Sequence, residues 1–361
     1  MWVTSSLETA LTPTAVALGN FDGVHRGHQQ VVQPILGKGQ ESCELSVLSS
    51  ETQNSVKAGH LSISIEAETF PKNSSLQAQN SSQPEADHLM SDSEHTYPTV
   101  VTFNPHPQEF FTGKMRTLLT PPDEKVQQLR SLGVEQLVLL PFDRELASLS
   151  PHQFVEKILV QHLRARIVSV GQDFCFGSGR SGTSADLQAI AAAYGIDVHI
   201  VQLQTCQGER ISSSFIRQAL LQGDIPQANR LLGRPYTLTG TVVQGQQLGR
   251  TLGFPTANLQ LPPEKFLPQQ GVYCVRVWCS NQASANSPLS GVMNIGRRPT
   301  VDGTCSTVEV HLLDWSGDLY GQTLTVSVEQ FLRPEQKFAS LDALKAQIQA
   351  DARAARAFLS K

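Results

Sequence analysis

Two histidines near the N-terminus are the first residues whose type and spacing indicate chemistry. His25 and His28 stand three positions apart in the string GNFDGVHRGH (residues 19–28), and a helical apolar pattern follows them. On a helix, this spacing places both imidazoles on one face, one turn apart. Gly19 and Gly23 permit tight backbone turns, and the first amides of a helix bind anions. The string predicts a triphosphate site; a surface pair and a metal half-site are the alternatives.

A second glycine-rich stretch, GQQLGRTLGFPTANL at residues 245–259, lies in the other half of the chain. Gly245, Gly249 and Gly253 let backbone amides approach a phosphate closely, which makes the stretch a second candidate phosphate cradle. Taken alone, the stretch is more typical of a flexible hairpin loop.

Composition and charge restrict what these stretches bind. The chain has 361 residues, a hydrophobic content of 40% and a formal net charge of −4. The length predicts about two domains, and the charge argues against a general nucleic-acid surface, which is normally basic.

The six cysteines show no CxxC pair and no zinc-like spacing, so we expect free thiols. We find no signal-peptide pattern and no apolar run of membrane length, and we expect a cytoplasmic protein.

The elements that must position the first stretch alternate between strands and helices. The apolar patterns predict strands that end at Leu18 and that span 98–103, 135–140, 166–170 and 197–203. Helices are predicted after the first string and at about 120–133, 151–162, 184–194 and 213–222. The alternation predicts an α/β domain with a doubly wound parallel sheet, whose ligands lie at the carboxyl ends of the strands. Residues 38–95 are rich in Ser, Gln and Glu and interrupt the pattern, and we expect them to form a mostly disordered insertion.

From about Leu232 the pattern changes to short strands separated by glycine, proline and polar turns. We therefore predict an all-β second domain, a small closed β-barrel. A final helix at about 341–359 carries one apolar face with Leu341, Leu344, Ile348 and Ala352. The predicted domains are 1–232 and 233–361.

Motifs in both halves resemble those of one enzyme family. GNFDGVHRGH, TFNPHP, GQDFCFG, ISSSFIR, GRTLGFPTAN, NIGRRPT, VEVHLLD and DLYG occur in this order. Together they resemble the bifunctional bacterial riboflavin kinase/FMN adenylyltransferases, or FAD synthetases, over essentially the whole chain except 38–95. The resemblance implies a Rossmann-like nucleotidyltransferase domain followed by a small Greek-key β-barrel, the riboflavin kinase domain, with a C-terminal helix. Ser214 replaces the usual threonine of the ISST-type motif, and Asn104 stands where the family more often has an acidic residue.

In the first domain, the resemblance implies an ATP site. His25 and His28 would stabilise charge while the FMN phosphate attacks the α-phosphate, and Arg217 would add a bidentate contact. The implied ATP-binding residues are Gly19, Asn20, Phe21, Asp22, Gly23, His25, His28, Asp173, Arg180, Ser212, Ser213, Ser214 and Arg217. Simpler roles remain open: a helix cap for the serines, an Asx turn for Asp173 and a solvated charge for Arg180. His106 either borders the flavin site or is a structural turn residue.

In the barrel, the resemblance implies a kinase site. Thr256 and Asn258 of PTAN would be oxygen ligands of Mg²⁺. Glu309 would be the general base that accepts the proton of the riboflavin 5′-hydroxyl. Gly245, Gly249, Arg250 and Gly253 would lie near the ADP phosphates.

The resulting prediction is a two-step enzyme that converts riboflavin into FMN and then FMN into FAD. We expect ATP, riboflavin and FMN as substrates, Mg²⁺ as cofactor, and no nucleic-acid or membrane partner; a transient homo-oligomer stays open. One alternative is an adenylyltransferase for another phosphate ester, for which PTAN and VEVHLLD would not be required. Another is a catalytically inactive flavin-binding protein, which the joint presence of His25, His28, Thr256, Asn258 and Glu309 disfavours.

Overall fold

The computed structural model describes residues 1–37 and 95–360, apart from 207, 246–248, 250–251, 280–286 and 301–302. The predicted insertion at 38–95 lies outside the described residues except for His95, and its disorder stays a prediction. The rest of the chain, with the α/β part and the barrel part, belongs to one compact unit.

A parallel sheet of six strands organises the first half. The strands of this half are β1 Trp2–Thr4, β2 Thr14–Leu18, β3 Tyr97–Asn104, β4 Gln136–Pro141, β5 Ala165–Gly171, β6 Cys175–Phe176, β7 Gly182–Thr183, β8 Asp197–Val201, β9 Thr205–Cys206 and β10 Glu209–Arg210. The sheet runs in the order β1-β4-β3-β2-β5-β8, and β6–β7 and β9–β10 are small separate hairpins. Every residue of β2 is buried, as expected for a central parallel strand covered on both faces. The predicted doubly wound sheet is confirmed.

Helices cover the sheet and flank the barrel. They are α1 Arg26–Val32, α2 Pro107–Thr112, α3 Pro122–Ser131, α4 Arg144–Ser148, α5 Pro151–Phe154 with its π-helical continuation Val155–His162, α6 Ser184–Ala192, α7 Ser213–Leu221, α8 Ile225–Leu232 and α9 Leu341–Leu359. Single 3₁₀ turns lie at Leu7–Thr9, Gln33–Ile35 and Ser178–Arg180. The sequence did not predict β1, α2, α4 or α8. Three of these elements have six residues or fewer, too few for a hydrophobic period to show.

The second half closes into a six-stranded antiparallel barrel. Its strands are β11 Tyr236–Val243, β12 Ala257–Gln260, β13 Gly271–Cys279, β14 Leu289–Thr300, β15 Gly303–Leu312 and β16 Thr323–Arg333. The closed order β11-β12-β15-β14-β13-β16 places β16 beside β13, the first strand of the β13–β15 meander, which is a Greek-key arrangement. The predicted barrel is confirmed.

Helix α9 packs on the outside of the barrel. Its residues Ala352, Ala355 and Leu359 form a small core with Cys274 and Leu313. Leu341, predicted to lie on the packed face, is instead exposed, because the first turn of α9 extends beyond this small core.

Helices α7 and α8 share their apolar core with the barrel. Ile216 and Leu231 belong to the same buried cluster as Tyr236, Tyr273 and Val326. Packing is therefore continuous across the predicted boundary at 232/233, which stays a prediction. Among the described residues, no helix has both the length and the apolar character needed to cross a bilayer.

Candidate functional site

The loop after β2 is strained and held from several sides. Phe21 and Val24 have φ angles of 47° and 42°, a region that residues other than glycine occupy rarely. The Gly23 amide donates to Thr120 Oγ1 at 2.9 Å, and Ser213 Oγ donates to the Asp22 carbonyl at 2.7 Å. The loop is thereby fixed against the N-terminus of α7.

Asp22 is the buried centre of this loop. One carboxylate oxygen accepts the Leu119 amide at 2.8 Å, and the other accepts Arg217 Nη2 at 2.7 Å. The same Arg217 nitrogen also donates to the Thr117 carbonyl at 2.6 Å. Arg217 therefore holds Asp22 in position. It does not line the cavity described below.

The rings of His25 and His28 stack, with centroids 3.6 Å apart and planes 15° from parallel. Helix α1 begins at Arg26, before the end of the string, so that His25 is its N-cap and His28 lies in its first turn. His25 Nδ1 accepts the His28 amide at 3.2 Å. Because α1 leaves its first amides unpaired, this side chain satisfies one of them.

Burial controls the charge of this histidine pair. It lowers the pKa of His25 from 6.5 to about 4. The pKa of His28 falls well below its ordinary value, first through burial and then through its neighbour His25. Both imidazoles are therefore neutral near pH 7 before a ligand binds, and each has one N–H to donate.

A cavity of about 700 Å³ opens in front of these histidines, at the carboxyl ends of the parallel strands. Most residues predicted to bind ATP line it: Gly19, Asn20, Phe21, Asp22, His25, His28, Asp173, Arg180, Ser212, Ser213 and Ser214. His106, the predicted flavin neighbour, lines it as well. Of the residues predicted for this site, Gly23 and Arg217 do not line the cavity.

Three basic residues in or beside the cavity carry no sequence motif, so sequence analysis missed them. Arg210 forms an ion pair with Asp173. Arg116 Nη1 lies 3.1 Å from His106 Nε2. Lys125 is buried and donates to the Asn20 carbonyl at 2.9 Å, and burial lowers its pKa to about 8.

An aromatic cluster forms one wall of the same cavity. The Phe103 and Phe142 rings meet edge to face at 5.6 Å, and Phe110 and Phe111 lie 5.4 and 5.8 Å from Phe142. Phe111 is 71% exposed. Rings exposed at the edge of a cavity provide a flat apolar surface for a ligand.

A second cavity, of about 340 Å³, lies at the barrel beside α9. Glu309 on β15 stands opposite Asn258 on β12 and opposite Asn294 on β14, so the three side chains share one face of the sheet. Glu309, Asn294 and Thr256 line the cavity, and Leu344 and Ile348 of α9 close its far side.

The glycine-rich loop lies directly over PTAN. A Cβ added to Gly245 would come within 2.5 Å of Asn258 Cγ, and one added to Gly249 would lie 3.3 Å from Thr256 Oγ1. Only glycines permit this approach. Gly253 has a φ of +86° and faces open space, and Arg250 lies outside the described residues.

An ion pair between the barrel and α9 borders the second cavity. Arg333 of β16 binds Asp351 through Nε at 3.1 Å and Nη2 at 2.9 Å, and both residues line the cavity. The sequence pattern of α9 showed only an apolar face, so sequence analysis missed Asp351.

Comparison with known proteins identifies the family. A riboflavin kinase model matches residues 232–359, and an FAD synthetase model matches residues 7–55 and 87–215. The chain is 38% identical over 344 residues to the bifunctional riboflavin kinase/FMN adenylyltransferase of Escherichia coli K12, covering 95% of this chain and 92% of that protein. This chain belongs to the bifunctional riboflavin kinase/FMN adenylyltransferase family. The resemblance stated from its motifs is confirmed.

Other comparisons agree with this family assignment. The family member from Haemophilus influenzae is 34% identical over 348 residues, covering 96% of this chain and 94% of that protein. A crystal structure described as a macrolide-efflux protein from Streptococcus pneumoniae has a TM-score of 0.74 and 28% identity, covering 98% of each chain. That structure therefore shares the fold of both halves.

Proposed function

We propose that this family member makes FAD in two steps, one at each cavity. The barrel transfers the terminal phosphoryl group of ATP to riboflavin and forms FMN and ADP; the α/β part joins FMN to ATP and forms FAD and pyrophosphate. One observation carries this assignment: the two family models match different halves of the chain, and each half contains one of the two cavities described above. Neither alternative, another phosphate ester or an inactive flavin binder, has support from the comparisons.

In the first cavity, ATP lies on the loop between β2 and α1. The neutral imidazoles of His25 and His28 donate hydrogen bonds to the triphosphate, which gains negative charge as the reaction proceeds. Amides and hydroxyls at the start of α7, at Ser212–Ser214, bind further phosphate oxygens. An oxygen of the FMN phosphate attacks the α-phosphorus, the bond to the β-phosphate oxygen breaks, and pyrophosphate leaves. No protein nucleophile is needed, because the attacking phosphate is already anionic.

The aromatic wall of the first cavity suits the flavin ring. Phe103, Phe111 and Phe142 present apolar faces and edges to the cavity, and stacking on such rings stabilises a planar heterocycle. His106 lines the same cavity, and Arg116 Nη1 lies within hydrogen-bond distance of its ring. This arrangement supports its predicted place beside the flavin.

In the second cavity, Glu309 is the proposed general base. It accepts the proton of the riboflavin 5′-hydroxyl while that oxygen attacks the γ-phosphorus, and ADP leaves. Thr256 and Asn258 offer the hard oxygen donors that Mg²⁺ prefers, beneath a backbone that only glycines allow. They would hold the Mg²⁺ that this chemistry implies, and its charge would offset that of the ATP phosphates. The described residues hold no group of three or more His, Cys, Asp or Glu suited to a metal.

A coupled assay tests the function. The purified chain with riboflavin, ATP and Mg²⁺ is expected to form FMN and then FAD, separated by chromatography; formation of neither would refute the proposal.

Glu309→Gln is expected to abolish FMN formation while FAD synthesis from supplied FMN continues. Glu329→Gln is the matched control, since Glu329 lies on β16, where it accepts Ser327 Oγ. Equal loss of both activities in Glu309→Gln would contradict the two-site assignment.

Location and assembly stay predictions from the sequence. We expect a cytoplasmic enzyme with small-molecule substrates and without nucleic-acid or membrane partners; a transient homo-oligomer remains open. Size-exclusion chromatography with and without substrates measures the oligomeric state.

A further inference from the structure

We infer that barrel residues 264–266 are a positioning element of the FMN adenylyltransferase site. They act through residues 117–120 and through helix α3, and they contact no substrate themselves. The inference rests on the proposed assignment of ATP to the first cavity.

The first link is a backbone pairing between the two halves. Leu118 and Lys265 form a parallel bridge. The Leu118 amide donates to the Glu264 carbonyl at 2.6 Å, and the Phe266 amide donates to the Leu118 carbonyl at 2.8 Å. Residues 117–120 have no partner of this kind in the parallel sheet, so the barrel fixes their backbone.

The paired segment in turn holds the ATP loop. The amide of Leu119 donates to the Asp22 carboxylate, and the hydroxyl of Thr120 accepts the Gly23 amide. The loop bearing Phe21 and Val24 is strained, and strained backbone persists only where its surroundings hold it. A shift of residues 117–120 would therefore move the proposed phosphate-binding loop.

The second link is a buried ion pair. Lys265 and Glu124 are 1% and 6% exposed, and Lys265 Nζ lies 2.5 Å from Glu124 Oε2. Lys265 Nζ also donates to the Leu119 carbonyl at 2.8 Å and sits 4.5 Å above the Tyr236 ring. Glu124 accepts the Thr239 amide of β11 at 3.3 Å. One lysine of the barrel thus bonds both to residues 117–120 and to the start of α3.

Adjacent residues of helix α3 connect the barrel to the proposed ATP loop. Glu124 faces the barrel, and its neighbour Lys125 donates to the Asn20 carbonyl in the loop. Two successive residues on the first turn of α3 therefore connect the barrel to the site.

The third link involves Phe266. Its ring lies 5.2 Å from the guanidinium carbon of Arg217, the same group that bonds Asp22 and the Thr117 carbonyl. A cation over an aromatic face is attracted to it. All three links thus end on the loop around Asp22.

An ion pair is an unusual way to join two halves. A buried pair is often no more stabilising than apolar residues of similar volume, whereas one partner left alone is costly. Apolar residues could therefore hold the two halves together without Lys265. Its directional bonds instead fix the position of the Leu119 carbonyl and of α3.

The test measures both activities in the same preparations. Lys265→Met keeps the aliphatic stem and removes the donor; Phe266→Leu keeps apolar bulk and removes the ring. Glu124→Gln/Lys265→Met removes both charges of this pair, so that neither is left without the other. The control Asn229→Ala breaks other bonds to the barrel, from Asn229 Nδ2 to the Val328 carbonyl at 2.9 Å and from the Tyr236 amide to Asn229 Oδ1 at 2.8 Å.

For Lys265→Met we expect kcat/KM for ATP in FAD synthesis to fall about tenfold or more, as small displacements at a reacting site do. Riboflavin phosphorylation in the same protein should stay within about twofold. The double variant should recover its thermal midpoint but not its FAD synthesis, because the Leu119 carbonyl still lacks its donor. Phe266→Leu should reduce FAD synthesis selectively but less.

Each of the following outcomes would overturn the inference. FAD synthesis could stay within about twofold in both Lys265→Met and the double variant, or the double variant could recover it fully. Asn229→Ala could also produce the same selective loss at an equal loss of thermal midpoint. Should Lys265→Met fail to fold, unchanged FAD synthesis in Phe266→Leu decides against the inference. A wild-type protein that makes no FAD from FMN would instead refute the proposed function.

Discussion

Asp22 and Arg217 form a largely enclosed ion pair at 2.7 Å, with side chains 5% and 15% exposed. The second oxygen of the same carboxylate accepts the Leu119 amide. The pair therefore joins helix α7 and residues 117–120 to the strained loop that carries the two histidines. The acidic residue of the proposed ATP-binding loop thus holds that loop in place.

Replacing Asp22 with asparagine should destabilise the protein and impair FAD synthesis. Arg217 loses its counter-charge, and one buried ion left without its partner costs about 3 kcal/mol. Urea unfolding measures the loss, and the coupled assay should show riboflavin phosphorylation largely intact. Asp314→Asn is the control: its pair with Arg356 has side chains 74% and 47% exposed, so solvent screens it and its loss should lower the unfolding free energy much less. Equal costs for the two variants would contradict a structural role for Asp22.

The stability of the α/β part should fall as the pH drops below about 6.5. Burial lowers the pKa of His25 from 6.5 to about 4, so between these values the unfolded chain binds the proton and the folded chain does not. The contribution of neutral His25 to the unfolding free energy is therefore fully present above pH 6.5 and is lost as the pH falls towards 4. Its total size is on the order of 3 kcal/mol. His25→Asn should flatten the dependence of the unfolding free energy on pH in this window. Parallel profiles for wild type and variant would exclude this assignment.

The fold was predictable because its signals are local. The apolar run before Gly19 is buried as β2. The helix predicted from residue 151 begins there, with Ser150 and Gln153 forming a capping box. The barrel strands likewise follow from alternating apolar residues between turn residues. Short elements such as β1 lack a period and were missed.

The candidate sites were only partly predictable. The strings around His25 and Glu309 placed residues at the two cavities, because each string is contiguous in sequence. The Glu124–Lys265 pair joins residues 141 positions apart, and no spacing rule reveals such a contact. The neutral state of the histidines was also hidden, since it follows from burial that only the folded chain creates.

Residues 56–86 should be dispensable for both activities. The FAD synthetase model matches the residues before and after them but not the segment itself, and the predicted insertion contains them. Joining residues 55 and 87 through a short Gly-Ser linker should leave FMN formation and FAD synthesis within about twofold of wild type. Selective loss of FAD synthesis would mean that the segment contributes to the first site, and loss of both activities would mean that folding needs it.

Gly245 and Asn258 should be strongly coupled in FMN formation. A Cβ at Gly245 would overlap the Asn258 amide, so Gly245→Ala should displace the proposed Mg²⁺ ligand, lower FMN formation about tenfold or more and raise the Mg²⁺ concentration for half-maximal rate. Asn258→Ala removes the obstructed group, and adding Gly245→Ala to it should therefore cost little more. A double-mutant cycle on kcat/KM measures this coupling, with FAD synthesis from supplied FMN as the internal control. Additive effects would show that Gly245 acts without Asn258, and the proposed cradle over PTAN would then be wrong.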